Sequence, residues 1–255
     1  MISRLVDTVG ILGEYGALFP AVPRASWSDY EETFPELFAG TSWRLPFAAY
    51  LVRTGSAVIL VDTGVGPPGG FLEGAEGLLP RRLEEERVAP ADIDVVFLTH
   101  LHVDHVGWIA TVAGTPTFPN ARYVTHEQGC AWAASADDAR RRMLAQLTEH
   151  GSLELVSGEA EITEGVRAFE TPGHAPGHMS LEVTLAGTKT LLAGDVAVHP
   201  AQLDHPEWIY VYEHDPVVAE RTRRAFLERS SPATTVLYSH VPPADERSRS
   251  RVADE

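Results

Sequence analysis

Four side chains able to bind a metal, His100, His102, Asp104 and His105, fall within six residues directly behind the apolar run Val95-Val96-Phe97-Leu98. The run is β-branched and aromatic, the pattern of a buried strand. The last residues of a strand leave the sheet together and the following turn fans them apart, so their side chains converge on one crevice. Imidazoles packed this densely without a common partner would leave buried polar atoms unpaired. Neutral imidazole nitrogens and an ionised carboxylate instead suit zinc and similar borderline cations. A fold that contains this stretch therefore has to place the end of a central strand at a metal pocket.

The remaining segments read as strands and helices around that strand. At 255 residues the chain is long enough for one α/β domain with a sizeable core. No linker or compositional break divides it, so a single domain over residues 1–255 is expected. Phe47–Arg53 and Ala57–Val61 are strand-like and joined by a hairpin turn at Thr54-Gly55-Ser56; the second run ends in Asp62-Thr63-Gly64. Residues 80–88 suggest a short exposed helix, Trp108-Ile109 the start of another, and Arg122–Thr125 a brief strand. The spacing of Trp132, Met143, Leu144 and Leu147 predicts one helix from Glu127 to about His150, ended by Gly151, with Arg140-Arg141-Arg142 on its solvated face. Short strands are expected at Leu153–Val156, Val166–Glu170, Ser180–Leu185 and Thr190–Ala193. Asp215-Pro216 opens a helix as N-cap and first residue, and Thr235–Tyr238 is a last strand.

The segment before residue 45 interleaves Tyr15, Phe19, Trp27, Tyr30, Phe34, Phe38 and Trp43 with Pro20, Pro23 and Pro35, which prevent a continuous helix. Such a segment either wraps the core or forms an apolar lip over a pocket, and aromatics left exposed there would suit a homodimer. The net charge of -16 repels polyphosphate and disfavours a nucleic-acid partner. Cys130 is the single cysteine, so no internal disulfide forms, which fits a reducing compartment. Met1 to Gly13 has no basic segment followed by an apolar one, and no apolar span approaches membrane length. A cytoplasmic protein without a membrane partner is the expectation.

Further candidate ligands close later strands: His174 in the tight Thr171-Pro-Gly-His174-Ala-Pro-Gly-His178 loop, Asp195 after Gly194, and His240 after Ser239. At this point the chain resembles the metallo-β-lactamase superfamily, in which HxHxDH is followed by a lone histidine, an aspartate and a final histidine, in that order. The resemblance spans roughly Phe47 to His240, and Asp62 in VDTG matches a further motif. It implies a four-layer αβ/βα sandwich, an α/β (α+β) fold with two mixed sheets face to face. It also implies two Zn2+ per chain: the first held by His100, His102 and His174, the second by Asp104, His105 and His240, with Asp195 bridging. Asp62 would orient a ligand from behind, and His178 would be a neighbouring hydrogen-bonding group. A hydroxide shared by the metals would attack an ester or lactone carbonyl without a covalent enzyme intermediate, with Asp104 also able to shuttle a proton. The sequence accordingly lacks a GxSxG elbow.

Within the superfamily, THLHVDHVGW and the stretch from Gly194 to Trp208 look like the branch of lactonases and methyl-parathion-hydrolase-like enzymes. Many such lactonases carry a tyrosine three residues after the bridging aspartate. Here that position is Val198, and Tyr210 or Tyr212 would have to substitute. Trp108, Val198 and Phe71 are candidate pocket residues, with Trp27 and Trp43 weaker ones; His199 and His205 read as loop histidines or as groups behind the ligands rather than as ligands. The resulting expectation is a small-molecule hydrolase of lactones or small hydrophobic esters, promiscuous toward phosphotriesters. The alternatives are a thioesterase or glyoxalase-II-like enzyme, which needs a basic patch from Arg44, Arg53 or Arg221 to Arg224, and a metal-binding protein without turnover.

Overall fold

The computed structural model describes residues 1–68, 76–111, 114–230 and 234–242. One sheet contains β1 (Ile2–Glu14), β2 (Phe38–Ala39), β3 (Ser42–Arg53), β4 (Val58–Val61), β5 (Val95–Phe97), β6 (Arg122–His126) and β7 (Leu153–Val156). Its order is β1-β3-β4-β5-β6-β7, with β2 on β3; the first three strands of that path run antiparallel and the pairs from β4 to β7 parallel. The other contains β8 (Ala160–Thr163), β9 (Val166–Glu170), β10 (Met179–Leu185), β11 (Thr188–Leu192) and β12 (Thr235–Leu237), in the order β12-β11-β10-β9-β8. The helices are α1 (Tyr15–Leu18), α2 (Ser28–Thr33), α3 (Leu79–Glu85), α4 (Glu127–Ala136), α5 (Asp138–Glu149), α6 (Ala201–Asp204) and α7 (Pro216–Arg229).

Alternation along the strands builds the layers. Ala49, Leu51, Leu60 and Val96 face one way and pack with Leu79, Leu83, Ala133, Leu144 and Leu147 of the helices α3, α4 and α5. Tyr50, Val52, Ile59, Val61, Val95 and Phe97 face the other way, against Ala168, Met179, Leu181 and Val183 of the second sheet. The far side of that sheet, through Phe169 and Leu191, meets Phe226 of α7. Helices, sheet, sheet and helix form the four-layer αβ/βα sandwich expected from the motifs. Parallel strands buried on both faces need continuous apolar runs, which is why Val95–Phe97 does not alternate in polarity.

Four local expectations are corrected. β1 begins at Ile2, where no strand was anticipated, and pairs with β3 from Ile2↔Val52 to Glu14↔Ser42. Its half-buried edge position hides the alternation that would betray it. The helix expected from Glu127 to His150 is two helices, because Asp137 is extended (φ -158°, ψ 164°) and its Oδ1 accepts the Arg140 N–H at 2.8 Å as the N-cap of α5. Trp108-Ile109 starts no helix, and β8 was not anticipated. Among the described residues no helix is long and apolar enough to cross a membrane.

The leading segment is a wrap built on aromatic contacts. Tyr15, Phe19, Trp27 and Trp43 are buried, which removes the exposed aromatics that had suggested a homodimer. They enclose His199, whose ring centroid lies 5.2 Å from that of Trp27 and 5.4 Å from that of Trp43. Its Nδ1 accepts the Ala201 N–H at 3.1 Å, so it is no free ligand. Burial pushes the His199 pKa down to about 3. The same imidazole in the unfolded chain titrates near about 6.5, so the unfolded state takes the proton first and stability falls as pH drops below that value. Relative to His199→Gln, the wild-type protein should lose about 2 kcal/mol between pH 6.5 and 5. Denaturant titrations of both proteins at the two pH values measure this, and parallel losses would refute it.

Candidate metal centre

His100, His102, Asp104 and His105 sit just past β5, His174 in the loop after β9, Asp195 in the loop after β11, and His240 after β12. All seven converge in three overlapping donor groups: His100 with His102 and His174, Asp104 with His105 and His240, and His100 with His105 and Asp195, each within 4.8 Å. His100 Nε2 and His174 Nε2 stand 3.0 and 3.1 Å from His102 Nδ1. Donors around a tetrahedral ion with zinc–nitrogen bonds of about 2.0–2.1 Å lie roughly 3.3 Å apart, so this spacing fits. In the second group Asp104 Oδ2 is 3.6 Å from His105 Nε2 and 3.4 Å from His240 Nε2. Asp195 Oδ2 lies between the groups, 3.3 Å from His174 Nε2, 3.4 Å from His105 Nε2 and 3.2 Å from His240 Nε2. His105 Nε2 and Asp195 Oδ1 are buried and make no hydrogen bond, as donors reserved for a cation would be. The residues present fit two divalent cations.

Three of the donors, His105, His240 and Asp195, are aimed from behind. Asp62 directly follows β4 with φ +60°, rare for a non-glycine residue; its Oδ2 lies 2.8 Å from His105 Nδ1 and its Oδ1 accepts the Thr99 N–H at 2.8 Å. His240 Nδ1 donates to the Pro46 carbonyl at 2.9 Å, leaving Nε2 for the site. His178 Nε2 accepts the Asp195 N–H at 3.0 Å, while its Nδ1 meets the Thr171 hydroxyl at 2.8 Å. A Cβ on Gly194 would stand 2.8 Å from His178 Nε2, so glycine is needed for that approach. Arg223 donates to the Val196 carbonyl at 2.9 Å and pairs with Glu213, fixing the loop that carries Asp195.

Protonation divides the cluster. Burial and the neighbouring imidazoles hold His100 well below its usual range, and burial pushes His102 and His178 down to about 4. At His240 burial acts the same way, but Asp195 and Asp104 outweigh it and push the pKa up to about 10. His105 is raised likewise, by Asp195, Asp62 and Asp104 against burial. A cation entering the second group takes the place of protons that the carboxylates favour there.

A sequence model of the metallo-β-lactamase superfamily matches residues 44–240. The chain belongs to this superfamily. The N-acyl homoserine lactonase AiiA of Bacillus thuringiensis subsp. kurstaki is 29% identical over 171 residues, 60% of this chain and 64% of that protein. The match thus spans just under two thirds of that relative. AiiB of Agrobacterium fabrum, also an N-acyl homoserine lactonase, is 28% identical over 227 residues, 77% of this chain and 79% of its own. Among solved structures, AidC, a dizinc quorum-quenching lactonase in complex with its product, superposes with a TM-score of 0.83 at 20% identity, covering 94% of this chain and 87% of AidC. The hydrolase AbOPH gives 0.82 at 24% identity, with the same coverage of both chains. At those identities the two structures bear on the fold alone.

In this superfamily member five of the donors, His102, Asp104, His174, Asp195 and His240, border a cavity of about 650 Å³, whose walls include Leu12, Trp43, Phe47, Val198 and Tyr210. Val198 and Trp43 therefore stand where a pocket role requires. Trp108 does not: it packs on the helix-side core and its Nε1 donates to Asp7 Oδ1 at 3.3 Å. Trp27 is buried behind the wall, Phe71 lies outside the described residues, and His205 is paired with Glu207 on the surface. Sequence reasoning missed Trp132 and Arg140, which also line the cavity, and Asp7, a buried carboxylate that accepts the N–H groups of Val65 and Leu79. Nothing local in the sequence marks these three, since Asp7 bonds residues far along the chain and only the packing of the two helices turns Trp132 and Arg140 toward the cavity.

Asp62→Asn removes the acceptor that orients His105, and zinc affinity should fall by about 10- to 100-fold. Competition with a chromophoric chelator measures it; an unchanged affinity would show that His105 is aimed without Asp62.

Proposed function

We propose that the protein is a dinuclear zinc hydrolase that opens lactone rings, N-acyl homoserine lactones first among them, and also cleaves small apolar esters. The observation that carries this reading is the position of the seven-residue donor cluster at the edge of a largely apolar cavity. The relatives named N-acyl homoserine lactonase support the substrate class. His100, His102 and His174 would hold one zinc ion and Asp104, His105 and His240 the other, with Asp195 shared. Bound there, the ions supply Lewis acidity toward the acyl carbonyl and make water acidic enough to ionise near neutral pH.

The chain's own residues do the rest. Asp104 lines the cavity and is held ionised, its pKa lowered to about 2, because His105 and His240 outweigh the effect of burial. It accepts a proton from the attacking water and returns it to the ring oxygen as the acyl C–O bond breaks, so that lactone and water give a hydroxy acid. Tyr210 stacks parallel to His174, with centroids 6.4 Å apart, and burial raises its phenol pKa. It is thus a protonated donor for the acyl carbonyl where Val198 offers none. Leu12, Trp43 and Phe47 exclude water and grip an apolar chain.

Of the arginines that an anionic thioester carrier would call on, three are already paired. Arg53 pairs with Glu86, Arg223 is buried with Glu213, and Arg224 pairs with Glu220 and Glu207. A panel of lactones, aryl esters, thioesters and phosphotriesters on the zinc-loaded protein should show highest kcat/KM for N-acyl lactones. Turnover confined to glutathione thioesters would overturn the reading. Asp104→Asn should lower kcat by at least about 100-fold; full turnover with both zinc ions retained would remove Asp104 from proton transfer.

A further inference from the structure

The cavity has one cationic wall that hydrolysis of a simple ester leaves unused. Arg140 lines it together with Trp132. The guanidinium carbon sits 4.8 Å from the Trp132 ring centroid, and that ring meets His102 edge-on with centroids 5.6 Å apart. Arg140 therefore borders the same space as the donor cluster, one aromatic ring from His102. The expectation that residues 140–142 form only a solvated helix face fails at this residue.

The guanidinium is held in place. Its Nε donates to Asp137 Oδ2 at 2.7 Å, Nη2 lies 2.7 Å from the same oxygen, and Nη1 donates to the Leu101 carbonyl at 3.1 Å. Asp137 is itself anchored as the N-cap of α5. A guanidinium carries five N–H donors, so among the described residues these three contacts leave two without a partner, on a side chain that lines the cavity. An apolar chain lying against them would leave charged donors unpaired in a half-buried site, whereas an oxygen acceptor would satisfy them.

We propose that Arg140 forms a second polar subsite, which receives a neutral carbonyl or amide oxygen on the acyl side of the substrate while the scissile group sits at the donor cluster. This deepens the hydrolase reading and rests on it for the identity of the site. The acceptor is neutral because Asp137 already balances the guanidinium, so a carboxylate would gain little attraction and would meet Asp137 as a like charge.

The test uses the zinc-loaded protein and three hydrolysis-resistant γ-lactams that differ in one substituent: an octyl chain, an octanoylamino chain, and an octyl chain ending in a carboxylate. Calorimetric titration should give about tenfold tighter binding of the octanoylamino probe than of the octyl probe, as for a hydrogen bond from a charged donor, and no gain for the carboxylate. In Arg140→Met the amide-to-alkyl ratio should fall close to one. The ratio is taken within each protein, so a general loss through the Leu101 contact cancels. Arg140→Lys supplies the same comparison if the methionine variant fails to fold, with at least a threefold drop in the ratio. A ratio that survives substitution, a carboxylate probe that binds tightest, or no binding by any probe would overturn the subsite. The corresponding lactones separate the two readings: inert lactones with an Arg140-dependent lactam ratio would sink the hydrolase alone, and rapid turnover without that ratio would sink the subsite alone.

Discussion

A single carboxylate oxygen holds the molecule's chemistry together. Asp195 Oδ2 lies within 3.9 Å of ring nitrogens from His100, His105, His174 and His240, which arrive from three other segments of the chain. So many desolvated donors in one place would be costly without a shared cation. The surrounding scaffold answers this cost with directed hydrogen bonds: Asp62 to His105, Pro46 to His240, and Thr171 through His178 to the backbone of Asp195. Packing the two sheets face to face brings the ends of β4, β5, β9, β11 and β12 to one edge, so the layer architecture and the cluster are one geometric fact.

The centre of this arrangement was legible in the amino-acid order because its residues are chemically unusual and closely spaced. His100 to His105 follow an apolar run too short and too β-branched to be a helix, and His174, Asp195 and His240 each follow a strand. What could not be read depends on distance along the chain. β1 is a half-buried edge strand whose mixed pattern carries no clean period. The break at Asp137 was marked only by an aspartate that suits an N-cap, and the regular spacing on both sides concealed it. Arg140 sits in a run of three arginines, and only the packing of α5 decides which one turns inward.

The residues that aim the donors follow the same division. Asp62 was recognisable because it follows a strand within a known motif. Thr99 and Thr171 adjoin recognised motifs, yet a threonine beside a ligand is ordinary and carries no signal of its own. Asp7 fixes the backbone after Asp62 from a strand some fifty-five residues earlier, a link visible only once β1 is laid against β3.

The seven donors, and all of their supports named above except Asp7, lie between residues 44 and 240, the span shared with the superfamily. Ile11, Leu12 and Trp43, by contrast, form part of the cavity wall and precede that span. The donors thus lie wholly within the shared span, whereas the wall of the cavity is built partly from that span, through Phe47, Arg140 and Tyr210, and partly from the chain before it. Selection could reshape the leading strand and its aromatic wrap, and so exchange one diet for another, while the catalytic edge kept its composition.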